Sequence, residues 1–201
     1  MKRLFPIISI VFHPIIVPLI TVLLYFYFTH YYFNRLEIAV ILSQFSIITL
    51  FIPISIYILL KSLRILNSSI MVDKPKERII PFFINVFLLI TLKDFILYNN
   101  SAYELKVYIW GLIYTYILLL LFIFLKKKAS AHIALLLSSI SFVVYMMIKY
   151  QTPNLILLIG LVLITGIVAS QRLFVKAHTS TEIILGALCG CLPQLFFYFI
   201  Q

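Results

Sequence analysis

An arginine, a histidine and a glutamate stand at fixed spacing between two apolar runs near the end of this chain. They are Arg172, His178 and Glu182, in the stretch 169–190, ASQRLFVKAHTSTEIILGALCG. Ionisable side chains beside hydrocarbon are costly and usually serve a function. Glu182 follows His178 by four residues, so both fall on one face of a helix start. The carboxylate could bond one imidazole nitrogen and leave the other basic, which suits a nucleophile or a general base.

Two further loops carry polar side chains that could act with this group. They are the stretch 71–81, MVDKPKERIIP, with Lys74, Lys76 and Arg78, and the stretch 126–136, KKKASAHIALL, with Ser130 and His132. Lysine and arginine supply the fixed positive charge that suits the oxygens of a phosphoryl group. For the three lysines 126–128, contact with lipid headgroups is the simpler interpretation.

The composition indicates that the segments between these loops lie in a membrane. Of the 201 residues, 64% are hydrophobic and only 11% are charged, whereas a soluble domain needs a more polar surface. The formal net charge is +10. Its basic residues lie in short loops between apolar runs, where lipid headgroups or phosphate substrates, rather than nucleic acid, are the natural partners. We predict an integral membrane protein that does not bind nucleic acid. Its oligomeric state is left open.

Seven apolar runs approach the roughly 20 residues that a helix needs to cross the hydrocarbon. They lie at roughly 5–29, 38–60, 79–98, 106–125, 132–149, 153–171 and 182–200. Lys93 and Asp94 interrupt the third run, so six spans is the alternative count. The alternation of a β-barrel is missing from the sequence. We therefore predict an all-α, polytopic transmembrane helix bundle of six or seven spans, forming a single domain over residues 1–201.

The order of the spans predicts that the three polar loops meet. Two spans separate the first loop from the second, and two more separate the second from the third, so the chain returns each time to the same side. That side carries most of the lysine and arginine residues. By the positive-inside rule it would be the cytoplasmic side. Gly186 and Gly190 continue the Glu182 face at helical spacing and predict close helix packing behind the loops.

The three stretches resemble, in order, the three signatures of the type 2 phosphatidic acid phosphatase superfamily. Arg172, His178 and Glu182 are similar to the third signature, Ser-Arg-x5-His-x3-Asp. ASAH at 129–132 is similar to the second, Pro-Ser-Gly-His, and KPKERIIP is a loose version of the first, Lys-x6-Arg-Pro. The similarity covers about residues 74–190. The departures from the family pattern are Gln171 for serine, Glu182 for aspartate, Ala129 for proline, Ala131 for glycine and Met71 for the first lysine.

The resemblance implies hydrolysis of a phosphomonoester or a diphosphate through a phosphohistidine, with no metal and no other cofactor. In that chemistry His178 attacks phosphorus and Glu182 orients it, while His132 protonates the leaving oxygen and then activates water. The oxygens of the phosphoryl group would be held by Arg172, Arg78, Lys74 or Lys76, and Ser130.

The short loops favour a lipid phosphate as the substrate, because they cannot enclose a large aqueous cavity. Phosphatidate, phosphatidylglycerophosphate, an isoprenyl diphosphate and a lipid A phosphate all stay open, with membrane lipids as the surrounding partners. The resemblance implies a bacterial cytoplasmic membrane and an active site on its outer face, against the positive-inside rule. The alternative is a non-catalytic relative that binds or moves anionic lipid, which the replaced proline, glycine and lysine would favour.

Overall fold

The computed structural model of the protein describes residues 12–65, 75–96 and 102–200. All regular structure in these ranges is helical. The main helices are α1 (Val17–Thr29), α2 (Arg35–Ser62), α3 (Ile79–Thr91), α4 (Tyr103–Phe124), α5 (Ala131–Lys149), α6 (Leu155–Phe174) and α7 (Ser180–Phe199). A short 3-10 turn, Pro75–Arg78, leads into α3, and a π-helical turn, Leu92–Ile96, follows it.

Five of the described helices, α2, α4, α5, α6 and α7, are long and apolar enough to cross a membrane. The predicted all-α class is confirmed for the residues that the structure describes, and the five helices indicate an integral membrane protein. The count of six or seven spans stays a prediction. The predicted third span changes from α-helix to the π-helical turn near Lys93 and Asp94, which pair with each other there.

The predicted first span, 5–29, differs from what is seen. Residues 12–16 form turns, and α1 begins only at Val17. Pro14 and Pro18 account for this, because proline has no N–H to donate and is tolerated only in the first turn of a helix. Residues 5–11 of that span lie outside the described ranges.

Helix α5 lies at the centre of the bundle and packs against α1, α4, α6 and α7. Its contact with α7 is made through two glycines. A Cβ placed on Gly186 would lie 2.5 Å from the carbonyl oxygen of Ser130, and one on Gly190 would collide with the carbonyl of Ala134. The predicted close packing is therefore confirmed, and it sets the backbone of α7 directly against the start of α5.

Buried polar side chains tie four helices together in the core. The Tyr108 hydroxyl donates to Thr21 Oγ1 (3.0 Å), and Thr21 Oγ1 lies 2.8 Å from Ser139 Oγ. The Gln194 amide donates to Ser138 Oγ (2.7 Å). Such bonds between membrane helices contribute about 0.6–2 kcal/mol each. Together they join α1, α4, α5 and α7 through the middle of α5 and the second half of α7.

Candidate active site

The turn between α6 and α7 places Arg172 beside the backbone of His178. Helix α6 ends in a Schellman motif, in which the Ala177 N–H donates to the Arg172 carbonyl (3.0 Å) and the Lys176 N–H to the Leu173 carbonyl (2.9 Å). Lys176 takes the left-handed conformation that this motif requires, with φ 54°. The His178 N–H also reaches the Arg172 carbonyl, at 3.3 Å. The turn therefore wraps tightly around a single carbonyl group.

His178 and Glu182 are in direct contact at the start of α7. His178 Nδ1 lies 2.7 Å from Glu182 Oε2. The same carboxylate forms a capping box with Thr179, since the Thr179 N–H donates to Glu182 Oε2 (3.4 Å) and the Glu182 N–H donates to Thr179 Oγ1 (3.3 Å). When Nδ1 of the neutral ring donates to the carboxylate, Nε2 keeps its lone pair. This is the tautomer that a nucleophile needs.

The surroundings of His178 hold its ring in the neutral form. The residue is 5% exposed and lies in the turn outside both neighbouring helices. Burial lowers the pKa of His178 to about 4, the hydrogen bond to Glu182 opposes the fall, and the charges of Arg78 and Lys128 add to it. The lone pair on Nε2 is therefore available at neutral pH.

The start of α5 lies against this turn. Ser130 caps α5, and its N–H donates to the backbone carbonyl of Glu182 at 3.0 Å. Its hydroxyl is buried and has no hydrogen-bond partner within the part of the chain that the structure describes. The first amides of a helix lack intrahelical acceptors and attract anions. His132, the second residue of α5, is also buried.

Two cations connect the remaining loops. Arg78 is buried at the end of its 3-10 turn, and its Nη1 donates to the Ala129 carbonyl (3.4 Å). Lys128 Nζ donates to the Ala177 carbonyl (2.7 Å). These bonds join the loops before α3, before α5 and before α7. The three polar loops therefore meet, as the order of the spans predicts.

Most of the predicted site residues gather at this end of the bundle, and one does not. Those brought together or buried beside it are Arg78, Ser130, His132, Arg172, His178 and Glu182. Lys76 is exposed on the turn before α3, so its predicted contact with the phosphoryl group has no support from its position. Lys74 lies outside the described residues.

Two residues at the site were not expected from the sequence. Lys128 turns inward, whereas Lys126 and Lys127 are exposed as headgroup contacts would be. The position of Lys128 directly before the ASAH stretch was the available signal. His13 presents its ring edge-on to His132, with ring centroids 5.6 Å apart. Nothing in the local sequence around His13 predicts a contact with a residue so far along the chain.

An open cleft runs from this site between α2 and α3. His13, Arg78 and His132 line it together with mostly apolar side chains, which include Ile56, Leu60, Pro81, Phe82 and Tyr116. A smaller pocket lined by Ile48, Asn85 and Leu89 continues it. From Arg78 to Leu89 the wall formed by α3 extends for about 16 Å, at 1.5 Å per residue.

Comparison of the chain with models of known protein families, with curated proteins and with solved structures gives no match. Its function is therefore inferred from its own residues.

Proposed function

We propose that this protein is a membrane-embedded, metal-independent lipid phosphate phosphatase. Its substrate is a lipid phosphomonoester or an isoprenyl diphosphate, and the reaction passes through a phosphohistidine. The observation that carries the proposal is the hydrogen-bonded pair of buried His178 and half-buried Glu182, with Nδ1 and Oε2 2.7 Å apart. It stands together with the buried Ser130 hydroxyl at the start of α5.

In the first half of the reaction, Nε2 of His178 attacks phosphorus. A bond forms between nitrogen and phosphorus, and the bond from phosphorus to the leaving oxygen breaks with its electron pair on oxygen. His132 protonates that oxygen. Glu182 stabilises the positive charge that the ring of His178 acquires.

The second half of the reaction releases inorganic phosphate. His132, now neutral, takes a proton from water, and the oxygen of that water attacks phosphorus. The bond between nitrogen and phosphorus breaks, and His178 regains its lone pair. Charge on the three equatorial oxygens is stabilised by Arg78, Arg172, Lys128 and the Ser130 hydroxyl, together with the first amides of α5.

The cleft supports a lipid as the substrate. Its basic end contains Arg78 and His132, and the rest of its lining is mainly apolar. A phosphate headgroup at the basic end would leave a hydrocarbon chain in contact with apolar side chains, which is favoured by about 25 cal/mol per Å² of apolar surface buried. We assign the protein to a bacterial cytoplasmic membrane on the motif resemblance.

The test is release of inorganic phosphate from phosphatidate, phosphatidylglycerophosphate, farnesyl phosphate and farnesyl diphosphate by the purified protein in mixed micelles, with and without EDTA. We expect the wild type to release phosphate from at least one of them in EDTA and His178→Ala to release none. Acid-labile, base-stable phosphate on the wild type would identify the phosphohistidine. Binding of these lipids without phosphate release by the wild type would instead support the non-catalytic alternative.

A further inference from the structure

His13 lies on the cleft side of the site, next to the group that protonates the leaving oxygen. It enters from the turn before α1, lines the cleft with Arg78 and His132, and touches the His132 ring edge-on. His178 does not line the described cleft. If His178 attacks phosphorus and His132 protonates the leaving oxygen, the leaving group therefore lies in the cleft, next to His13.

The tautomer of His13 can be assigned from its backbone contact. The Ile15 N–H donates to His13 Nδ1 at 3.3 Å, which requires a lone pair on Nδ1. The hydrogen of the neutral ring is then on Nε2. The one ring N–H of His13 is therefore on Nε2, in a residue that lines a mostly apolar cleft wall.

The cleft wall carries a further histidine, His13, beyond Arg78 and His132, which the reaction at the phosphoryl group already uses. Arg78 and His132 line it with His13, and no acidic residue does among the described residues. If the leaving group were a plain lipid alkoxide, only its bridging oxygen would need a proton, and His132 supplies that. A leaving group that is itself a phosphate has further charged oxygens, which need donors on the cleft side.

We propose that His13 binds the leaving phosphate of a lipid diphosphate, so that the preferred substrate is a diphosphate and not a monophosphate. This proposal rests on the function proposed above. His178 attacks the terminal phosphorus, and the bond from that phosphorus to the bridging oxygen breaks with its electron pair on the oxygen. His132 protonates the bridging oxygen, and the His13 Nε2–H donates to an oxygen of the departing lipid monophosphate. Hydrogen bonds to charged oxygens are the stronger class in proteins.

The experiment compares farnesyl diphosphate with farnesyl phosphate, which share one chain, on the wild type and on three variants. His13→Asn keeps an acceptor near the position of Nδ1 and removes Nε2, whereas His13→Gln keeps a donor near the position of Nε2. His30→Ala removes an exposed histidine at the other end of α1 and is the matched control. Folding of each variant is checked by its melting temperature in the same detergent.

We expect His13→Asn to lower kcat/KM for the diphosphate by about 10- to 100-fold, the loss expected for one hydrogen bond to a charged group. Its kcat/KM for the monophosphate should change less than about threefold. His13→Gln should recover most of the activity on the diphosphate, and His30→Ala should match the wild type on both.

An equal loss on both substrates would show that His13 acts through the His132 ring or the fold, and would overturn the proposal. The proposal would also be overturned if His13→Asn kept the wild-type kcat/KM on both substrates, or if the wild type preferred the monophosphate. Neither result would contradict the proposed function. If the wild type releases phosphate from none of the lipid phosphates tested, both the proposed function and this inference are wrong.

Discussion

Glu182 Oε2 lies 2.7 Å from His178 Nδ1, and the same oxygen accepts the backbone N–H of Thr179. One carboxylate therefore caps α7 and orients the proposed nucleophile. The two roles separate in Glu182→Gln, because the amide oxygen can still accept the Thr179 N–H but carries no charge. We expect the single-turnover rate to fall by about two to four orders of magnitude, as when an orienting acid is neutralised in a triad. The melting temperature should change little.

A second capping box in the chain gives the control for that experiment. Asn34 and Glu37 form it at the start of α2, where Glu37 is exposed. Glu37→Gln removes the same charge from the same helix position and should cost no more than about 0.5 kcal/mol of stability. Its turnover should equal that of the wild type. If Glu182→Gln keeps the wild-type turnover, as expected for Glu37→Gln, then Glu182 serves only as a helix cap.

Acid should destabilise the protein through His178. Its pKa is about 4 in the folded chain and about 6.5 when unfolded, so between these values the unfolded chain holds a proton that the folded chain does not. The free energy of unfolding must then fall as pH falls from 6.5 to 4. We expect melting temperatures to drop less steeply over this range in His178→Asn than in the wild type. Parallel curves for the two proteins would show that His178 titrates normally in the fold.

Lys128 should affect both the pKa of His178 and catalysis. Its charge lowers that pKa, so Lys128→Gln should raise it, as followed by NMR of the labelled imidazole. The loss of one cation near the phosphoryl group should also lower kcat/KM by about tenfold or more, on the scale of one charged hydrogen bond. Lys127→Gln, at an exposed position, should change neither quantity.

Alanine substitution should have opposite effects at two glycines, one in the contact between α5 and α7 and one at an open position in α6. At Gly190 an added methyl group would collide with the Ala134 carbonyl, and Gly190→Ala should destabilise the protein by about 1–3 kcal/mol. At Gly160 in α6 an added Cβ meets nothing within 4 Å. Gly160→Ala should therefore stabilise the helix, by up to about 1 kcal/mol. Chemical unfolding of both variants in one detergent measures the difference.

Lys176 and Lys126 occupy equivalent left-handed positions after α6 and α4, with φ 54° and 57°. Glycine takes this conformation without strain, so Lys176→Gly and Lys126→Gly should each gain about 1 kcal/mol of stability. Both should keep the phosphate release proposed for the wild type, since both side chains are exposed. A loss of activity in Lys176→Gly alone would add Lys176 to the residues proposed to hold the phosphoryl group.

The helices were predictable because long apolar runs leave little alternative in a membrane, and the predicted 132–149 agrees closely with Ala131–Lys149. That the three polar loops lie at one end of the bundle was predictable from the even number of membrane crossings between them. His13 and Lys128 were not predictable in the same way. Their roles depend on which way a side chain turns at a helix end, and that is set by packing between segments far apart in sequence. The late start of α1 shows the same limit, since hydropathy does not register where prolines 14 and 18 stop a helix.

The cleft lies between α2 and α3, and neighbouring side chains on these helices, such as Leu59 and Phe83, are exposed on the bundle surface. A lipid phosphate lodged there would arrive sideways from the bilayer and would never dissolve in water. Substrate supply is then a two-dimensional quantity, the mole fraction of the lipid in its leaflet. Dilution of the substrate with inert phospholipid at constant bulk concentration should slow turnover, whereas adding more vesicles of the same composition should not change the rate per enzyme.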